Sequence, residues 1–132
     1  MPEPVVLSVF IIDDNETTRA ILRMIIQGEN YHVIGEANNG ISGLARARRL
    51  RPDIVCLDIE MPDSNGLDIL IEIKQTLPNT AVLMVTGNND RATIVTAIQR
   101  GASGFILKPF NSGVVLDTLN KAAAFLKSHL KK

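Results

Sequence analysis

Residues 53–66 read Asp53-Ile-Val-Cys-Leu-Asp58-Ile-Glu60-Met-Pro-Asp-Ser-Asn65-Gly66. Ile54–Leu57 is a continuous apolar run that stops at an acid. Such a run, bounded by turn signals, is what a strand covered on both faces requires. Met61–Gly66 is dense in turn formers and predicts a loop. Beyond it Ile69, Leu70, Ile73 and Leu77 recur at helical spacing before Pro78. The stretch is therefore a strand–loop–helix unit with a carboxylate at the strand's carboxyl end.

The same unit repeats outward in both directions. Upstream, Val5–Ile12 is another continuous apolar run, followed by the acidic pair Asp13-Asp14. Asn15 can cap a first helix whose Ile21, Leu22, Ile25 and Ile26 share a face, with Gly28 as its stop. Tyr31–Ala37 is a less apolar strand, suited to a sheet edge. Asn39-Gly40 is a turn, and Ile41–Leu50 a second helix closed by Pro52. Downstream, Ala81–Val85 is a fourth strand ending at Thr86. Asp90 caps a helix presenting Ile94, Ala97 and Ile98 before Gly101. Phe105–Leu107 is a short fifth strand leading to Lys108-Pro109. A last helix spans Ser112–His129 with Val115, Leu119, Ala122 and Leu126 inward.

Five strands alternating with five helices imply a parallel sheet, right-handed crossovers and helices on both faces. Ligands of such sheets bind beyond the carboxyl ends of the strands. Asp13, Asp14, Asp58, Thr86 and Lys108 stand at those ends, with Glu60 two residues beyond Asp58. Three carboxylates brought together repel one another and ask for a cation. Oxygen donors without a neighbouring histidine or thiol suit a hard ion, Mg²⁺ or also Mn²⁺. A lysine and a hydroxyl facing the same place suit an anion that joins the metal.

Composition bounds what else the chain can do. Its 132 residues, 45% hydrophobic and 21% charged, are enough for one domain, residues 1–132, and hardly for two. Lysine plus arginine and aspartate plus glutamate balance at 14 each. The electrostatic footprint of a nucleic-acid binder is thus missing, and no direct nucleic-acid binding is expected. The apolar runs are too short to span a membrane as helices, and Met1–Pro4 carries no basic segment of a secretion signal. The single cysteine, Cys56, lies inside a predicted strand and reads as a buried hydrophobe. A cytoplasmic location is expected. Arg46, Arg48, Arg49 and Arg51 read as a solvated helix surface. Lys127, Lys131 and Lys132 would complement a helix dipole. His32 and His129 lack ligand spacing.

The ordered set of motifs resembles the receiver domain of two-component response regulators, of the chemotaxis-regulator kind, from Val5 to about Leu130. It comprises Asp13-Asp14, Asp53–Asp58, Met61-Pro62, Asn65-Gly66, Val85-Thr86, Gly101-Ala102 and Gly104–Phe110. The resemblance implies a flavodoxin-like (βα)5 three-layer sandwich with sheet order 2-1-3-4-5. It implies that Asp58 is the phosphoacceptor for a sensor histidine kinase or phosphotransfer protein. Asp14, Asp58 and the backbone carbonyl of Glu60 would hold Mg²⁺ directly, and Asp13 largely through water. Lys108 would contact the phosphoryl oxygens, before a cis peptide to Pro109. Thr86 and Phe105 would form a switch pair that reshapes the face of helix 4, strand 5 and helix 5 for a downstream protein or output domain. A homodimer on phosphorylation is a further possibility of the family. The domain would be a phosphoacceptor that assists its own phosphoryl transfer and dephosphorylation, not an enzyme.

Two positions depart from the common pattern. Phe105 replaces a frequent tyrosine. Gly87 follows Thr86 where a small side chain is commoner, which loosens that loop. Glu60 and Asn88 occupy the two variable positions that tune phosphoryl lifetime in this family, and an anionic Glu60 would either order or repel an attacking water. A Mg²⁺-dependent aspartyl phosphohydrolase is the competing enzyme class. It would need a second acid at residue 15, which is Asn15. A flavin carrier would need a Gly/Ser/Thr-rich phosphate loop, which the first helix does not follow.

Overall fold

The computed structural model describes residues 5–28 and 30–130, with side chains described as far as residue 128. Lys131 and Lys132 lie outside the described residues, as does the side chain of His129. Along the chain run β1 (Leu7–Ile12), α1 (Glu16–Ile26), β2 (Tyr31–Ala37), α2 (Gly40–Leu50) and β3 (Ile54–Asp58). There follow α3 (Gly66–Thr76), β4 (Ala81–Thr86), α4 (Arg91–Gln99), β5 (Gly104–Leu107) and α5 (Ser112–Leu130).

The helices start where local chemistry provides an acceptor for their first free N–H groups. The side chains of Asn15, Asn39, Asn65 and Asp90 accept from Thr18, Ser42, Leu67 and Thr93 N–H. Asn111 does the same for Val114, at 2.9 Å. Gly28, with φ of +117°, follows α1 in the left-handed region that glycine tolerates.

The strands pair in parallel in the order β2-β1-β3-β4-β5. This is the flavodoxin-like sheet, with β2 at an edge and β3 at the centre. Successive strand side chains point to opposite faces, so each central strand feeds two cores. Leu7, Val9 and Ile11, with Ile54, Cys56, Leu83, Val85 and Ile106, pack against Leu22 and Ile26 of α1 and Val115 and Leu119 of α5. Phe10, Ile12, Val55, Leu57, Val82 and Met84 pack on the other face against Leu44 and Ala47 of α2, Leu70 and Ile73 of α3, and Ala97 of α4. Cys56 is a buried free thiol, its pKa pushed up to about 12 by burial.

The structure corrects several expectations. β1 begins at Leu7, because Val5 and Val6 are exposed and precede the pairing with β2. Ile21 and Ile98, expected inside, are exposed. Leu22 and Ile26 centre the buried arc of α1, and at about 100° per residue Ile21 falls outside it. On α4 only Ala97 is buried. Arg46 does not belong to a solvated surface. Its guanidinium lies 5.3 Å from the Phe10 ring centroid and donates to the Glu36 carbonyl. Arg48 is exposed and faces Glu72 at 3.6 Å.

Candidate functional site

The alternation that fills the first core also assembles the polar site. Asp13 continues the set Leu7, Val9, Ile11. Asp58 continues Ile54, Cys56, and Lys108 follows Ile106. The register aligns Ile12 with Leu57, Asp58 with Val85, and Val85 with Ile106. Three polar side chains therefore leave the carboxyl edge of the sheet on one face, where the hydrophobic layer ends. Asp14 joins from the β1–α1 loop. One carboxylate oxygen from each of Asp13, Asp14 and Asp58 lies within 4.8 Å of the others. Lys108 Nζ stands 3.5 Å from Asp13 Oδ2 and 3.7 Å from Asp58 Oδ1.

The burial of these acids is costly. Asp13 is 1% exposed and Asp58 4%, whereas Asp14 is exposed. Desolvation above all, then the Asp13 charge, raises the Asp58 pKa from 3.8 to about 7, against the opposing pull of Lys108. Asp13 is also raised, chiefly by burial, while the Asn15 N–H and Lys108 lower it. Asp13 Oδ2 is buried without a hydrogen-bond partner among the described residues. One ammonium does not balance three carboxylates. The all-oxygen donor set, with Asp13 Oδ2 buried, without a hydrogen bond and 3.5 Å from the Lys108 ammonium, fits a hard divalent cation such as Mg²⁺.

Backbone contacts fix the loops that carry these groups. The Asp13 N–H bonds the Ala37 carbonyl at 3.0 Å, and the Asn15 N–H bonds Asp13 Oδ1 at 2.9 Å. After β3, the Gly66 N–H closes the loop onto the Ile59 carbonyl at 2.6 Å. A Cβ at Gly66 would stand 2.2 Å from the Asp58 carbonyl oxygen, so only glycine fits this approach. The Glu60 N–H points to Asp58 Oδ1 at 3.4 Å, while the Glu60 side chain is exposed.

Thr86 and Phe105 belong to the other alternation set. Thr86 follows Met84 and is 1% exposed, its Oγ1 accepting from the Asn88 N–H at 3.0 Å. Phe105 pairs in register with Met84 and half-buries its ring against the core under α2, α3 and α4. Gly87 is exposed, and its conformation is not left-handed. The Lys108 N–H bonds the Thr86 carbonyl at 2.8 Å, and the Lys108–Pro109 peptide is cis. Of the residues singled out in the sequence, Asp13, Asp14, Asp58 and Lys108 thus come together, with Glu60 and Thr86 adjoining through backbone. Sequence reasoning missed Arg19, which donates to the Asp13 carbonyl at 2.7 Å. Its acceptor is backbone, so no residue type in the sequence signals the contact.

The family model described as the response regulator receiver domain matches residues 9–120. The chemotaxis protein CheY of Thermotoga maritima is 39% identical over 115 residues, covering 87% of this chain and 96% of that protein. CheY of Listeria monocytogenes is 37% identical over 117 residues, covering 89% and 98%. The solved response regulator domain of Thermotoga maritima CheB superposes with a TM-score of 0.82 at 32% identity, covering 92% of this chain and 97% of that one.

Proposed function

The chain belongs to the response regulator receiver domain family, and from that premise we propose that Asp58 is its phosphoacceptor, served by Mg²⁺ and Lys108. Receiver domains are phosphorylation-dependent switches of two-component systems, signalling proteins that work with histidine kinases and output domains. The observation that carries the assignment is a carboxylate 4% exposed at the end of the central strand, beside two more acids and 3.7 Å from an ammonium.

An Asp58 oxygen attacks the phosphorus of a kinase phosphohistidine. The O–P bond forms as the P–N bond breaks, and the electron pair returns to the imidazole nitrogen. Only the ionised carboxylate can attack, and without metal burial raises its pKa to about 7. Lys108 favours ionisation and then lies within reach of the phosphoryl oxygens. Asp13, Asp14, Asp58 and the Glu60 carbonyl would hold Mg²⁺, or Mn²⁺ on the same oxygen set, with Asp13 acting largely through water. The bound ion supplies positive charge against the acids and the incoming phosphoryl group. The buried Thr86 hydroxyl accepts from Asn88 and keeps its own proton to donate to the phosphoryl group. Its movement would free space for Phe105 to bury more of its ring.

The same reading takes residues 1–132 as one receiver unit in the cytoplasm. Its donor is a sensor histidine kinase or a phosphotransfer protein, and its target a downstream protein or output domain. A homodimer would form on phosphorylation; the unit makes no direct nucleic-acid contact and assists its own dephosphorylation. No helix among the described residues is long and apolar enough to cross a membrane. The test is intact-mass analysis after incubation with Mg²⁺ and acetyl phosphate. One phosphoryl adduct is expected, absent in Asp58→Asn and absent with chelator. An undiminished adduct in Asp58→Asn would overturn the assignment.

A further inference from the structure

Arg19 occupies a position that the chemistry at Asp58 does not by itself require. Its side chain is 16% exposed and spans two partners. Nη1 donates to the Asp13 backbone carbonyl at 2.7 Å, and Nε pairs with Glu36 Oε1 at 3.2 Å. Glu36 is a firm anchor. It lies on β2 in register with Ile11 of β1, its other carboxylate oxygen takes Arg23, and its carbonyl takes Arg46.

The carbonyl held by Arg19 belongs to the peptide unit whose nitrogen is that of Asp14. Because the peptide is planar, fixing that oxygen fixes the plane from which Asp14 departs. The Asp13 N–H, bonded to Ala37, fixes the preceding unit. Asp14 is the exposed acid of the three, so packing constrains its direction least. We propose that Arg19, braced by Glu36, is a positioning residue for the metal site: it orients the Asp13–Asp14 peptide so that the Asp14 carboxylate faces Asp58. The inference rests on the reading of Asp13, Asp14 and Asp58 as the Mg²⁺ site.

The sign of the effect separates positioning from charge. A guanidinium near a cation site repels the cation, so removing it as a mere charge would tighten Mg²⁺ binding. Removing it as a brace weakens binding, because Asp14 must be ordered at the moment the ion enters. Lysine keeps the charge but lacks the planar fork that reaches Glu36 and the carbonyl together.

The experiment is calorimetric Mg²⁺ titration of the whole chain and of Arg19→Met, Arg19→Lys and Asp14→Ala, with melting temperatures measured without metal. Loss of an outer brace of a metal site characteristically lowers affinity about tenfold to a hundredfold. Both Arg19 variants should raise the Mg²⁺ Kd about tenfold while keeping the native far-UV dichroism. Tighter binding in Arg19→Met with no change in Arg19→Lys would make the residue a charge only and overturn the proposal. A lower melting temperature with unchanged Kd in both would make it structural only, and overturn it equally. If Asp14→Ala binds Mg²⁺ as the parent does, the metal site itself is misread, and the inference falls with it. Failure confined to Arg19 leaves that site standing.

Discussion

Burial and the Asp13 charge act together on the Asp58 carboxyl, and the consequence is a pH dependence of the fold itself. Its folded-state pKa of about 7 lies above the ordinary 3.8, so between these values the folded chain binds more protons than the unfolded one. The associated stability is complete below about pH 4 and is lost as pH rises through 7. Without metal, the chain should lose up to about 4 kcal/mol between pH 4 and pH 8 from this group. Denaturant midpoints measured across that range check it, and Asp58→Asn should flatten the slope and melt higher at pH 8. Two glycines make a contrasting pair. Gly66→Ala forces a Cβ to 2.2 Å from the Asp58 carbonyl oxygen, so it should cost more than about 2 kcal/mol and disturb phosphorylation. Gly87→Ala meets only Lys108 Cβ at 4.0 Å and needs no left-handed backbone. It should stabilise by about 0.4–1 kcal/mol, read from unfolding curves, by reducing the freedom of the unfolded chain. That Asp13, Asp58 and Lys108 would meet was legible in the sequence, because each directly follows an apolar run. Arg46 was not, since its half-burial depends on the Phe10 ring beneath it.

At the level of elements, β4 and β5 connect the site to a distant surface. The Thr86 carbonyl takes the Lys108 N–H, and Phe105 pairs in register with Met84 two residues before Thr86. A charge placed at Asp58 therefore has neighbours that lead to α4 and β5. Beryllofluoride, a phosphoryl mimic, should shift NMR signals over residues 87–112 as well as around Asp58. Thr86→Ala should keep phosphorylation but shrink the distant shifts; if these persist at full size, the coupling does not run through Thr86. Complete switching between two states asks for about 5.5 kcal/mol of differential stabilisation, within reach of a few charge-assisted bonds and a buried ring. Element types were readable, and so were the starts of α1 and α4, because Asn15 and Asp90 announce their caps locally. The inward face of α1 was only partly so. Ile21 has the same composition as Ile26, and the angle at which the helix lies on the sheet leaves one exposed and the other buried.

For the molecule as a whole, stability rests on a sheet covered on both sides. Leu83, fully buried on the interior strand β4, faces the α1/α5 core, so Leu83→Ala should cost about 2–5 kcal/mol. Met24, 78% exposed on α1, should change stability by less than about 0.5 kcal/mol when replaced by alanine. Urea unfolding of the two variants beside the parent measures both. The order of apolar runs and helical patterns determined the fold class, since alternating strands and helices have few right-handed ways to close a two-sided layer. Sequence also determined which residues stand at the carboxyl ends of the strands, because chain order alone places them there. Tertiary structure decided how far apart they are. The 3.5 and 3.7 Å separations of Lys108 from the two buried acids follow from strand register, which depends on pairings between residues distant in the chain. It likewise decided that Arg19 spans the Asp13 carbonyl and Glu36, a contact that exists only once α1 lies against β2 and whose acceptor, a backbone oxygen, every residue shares.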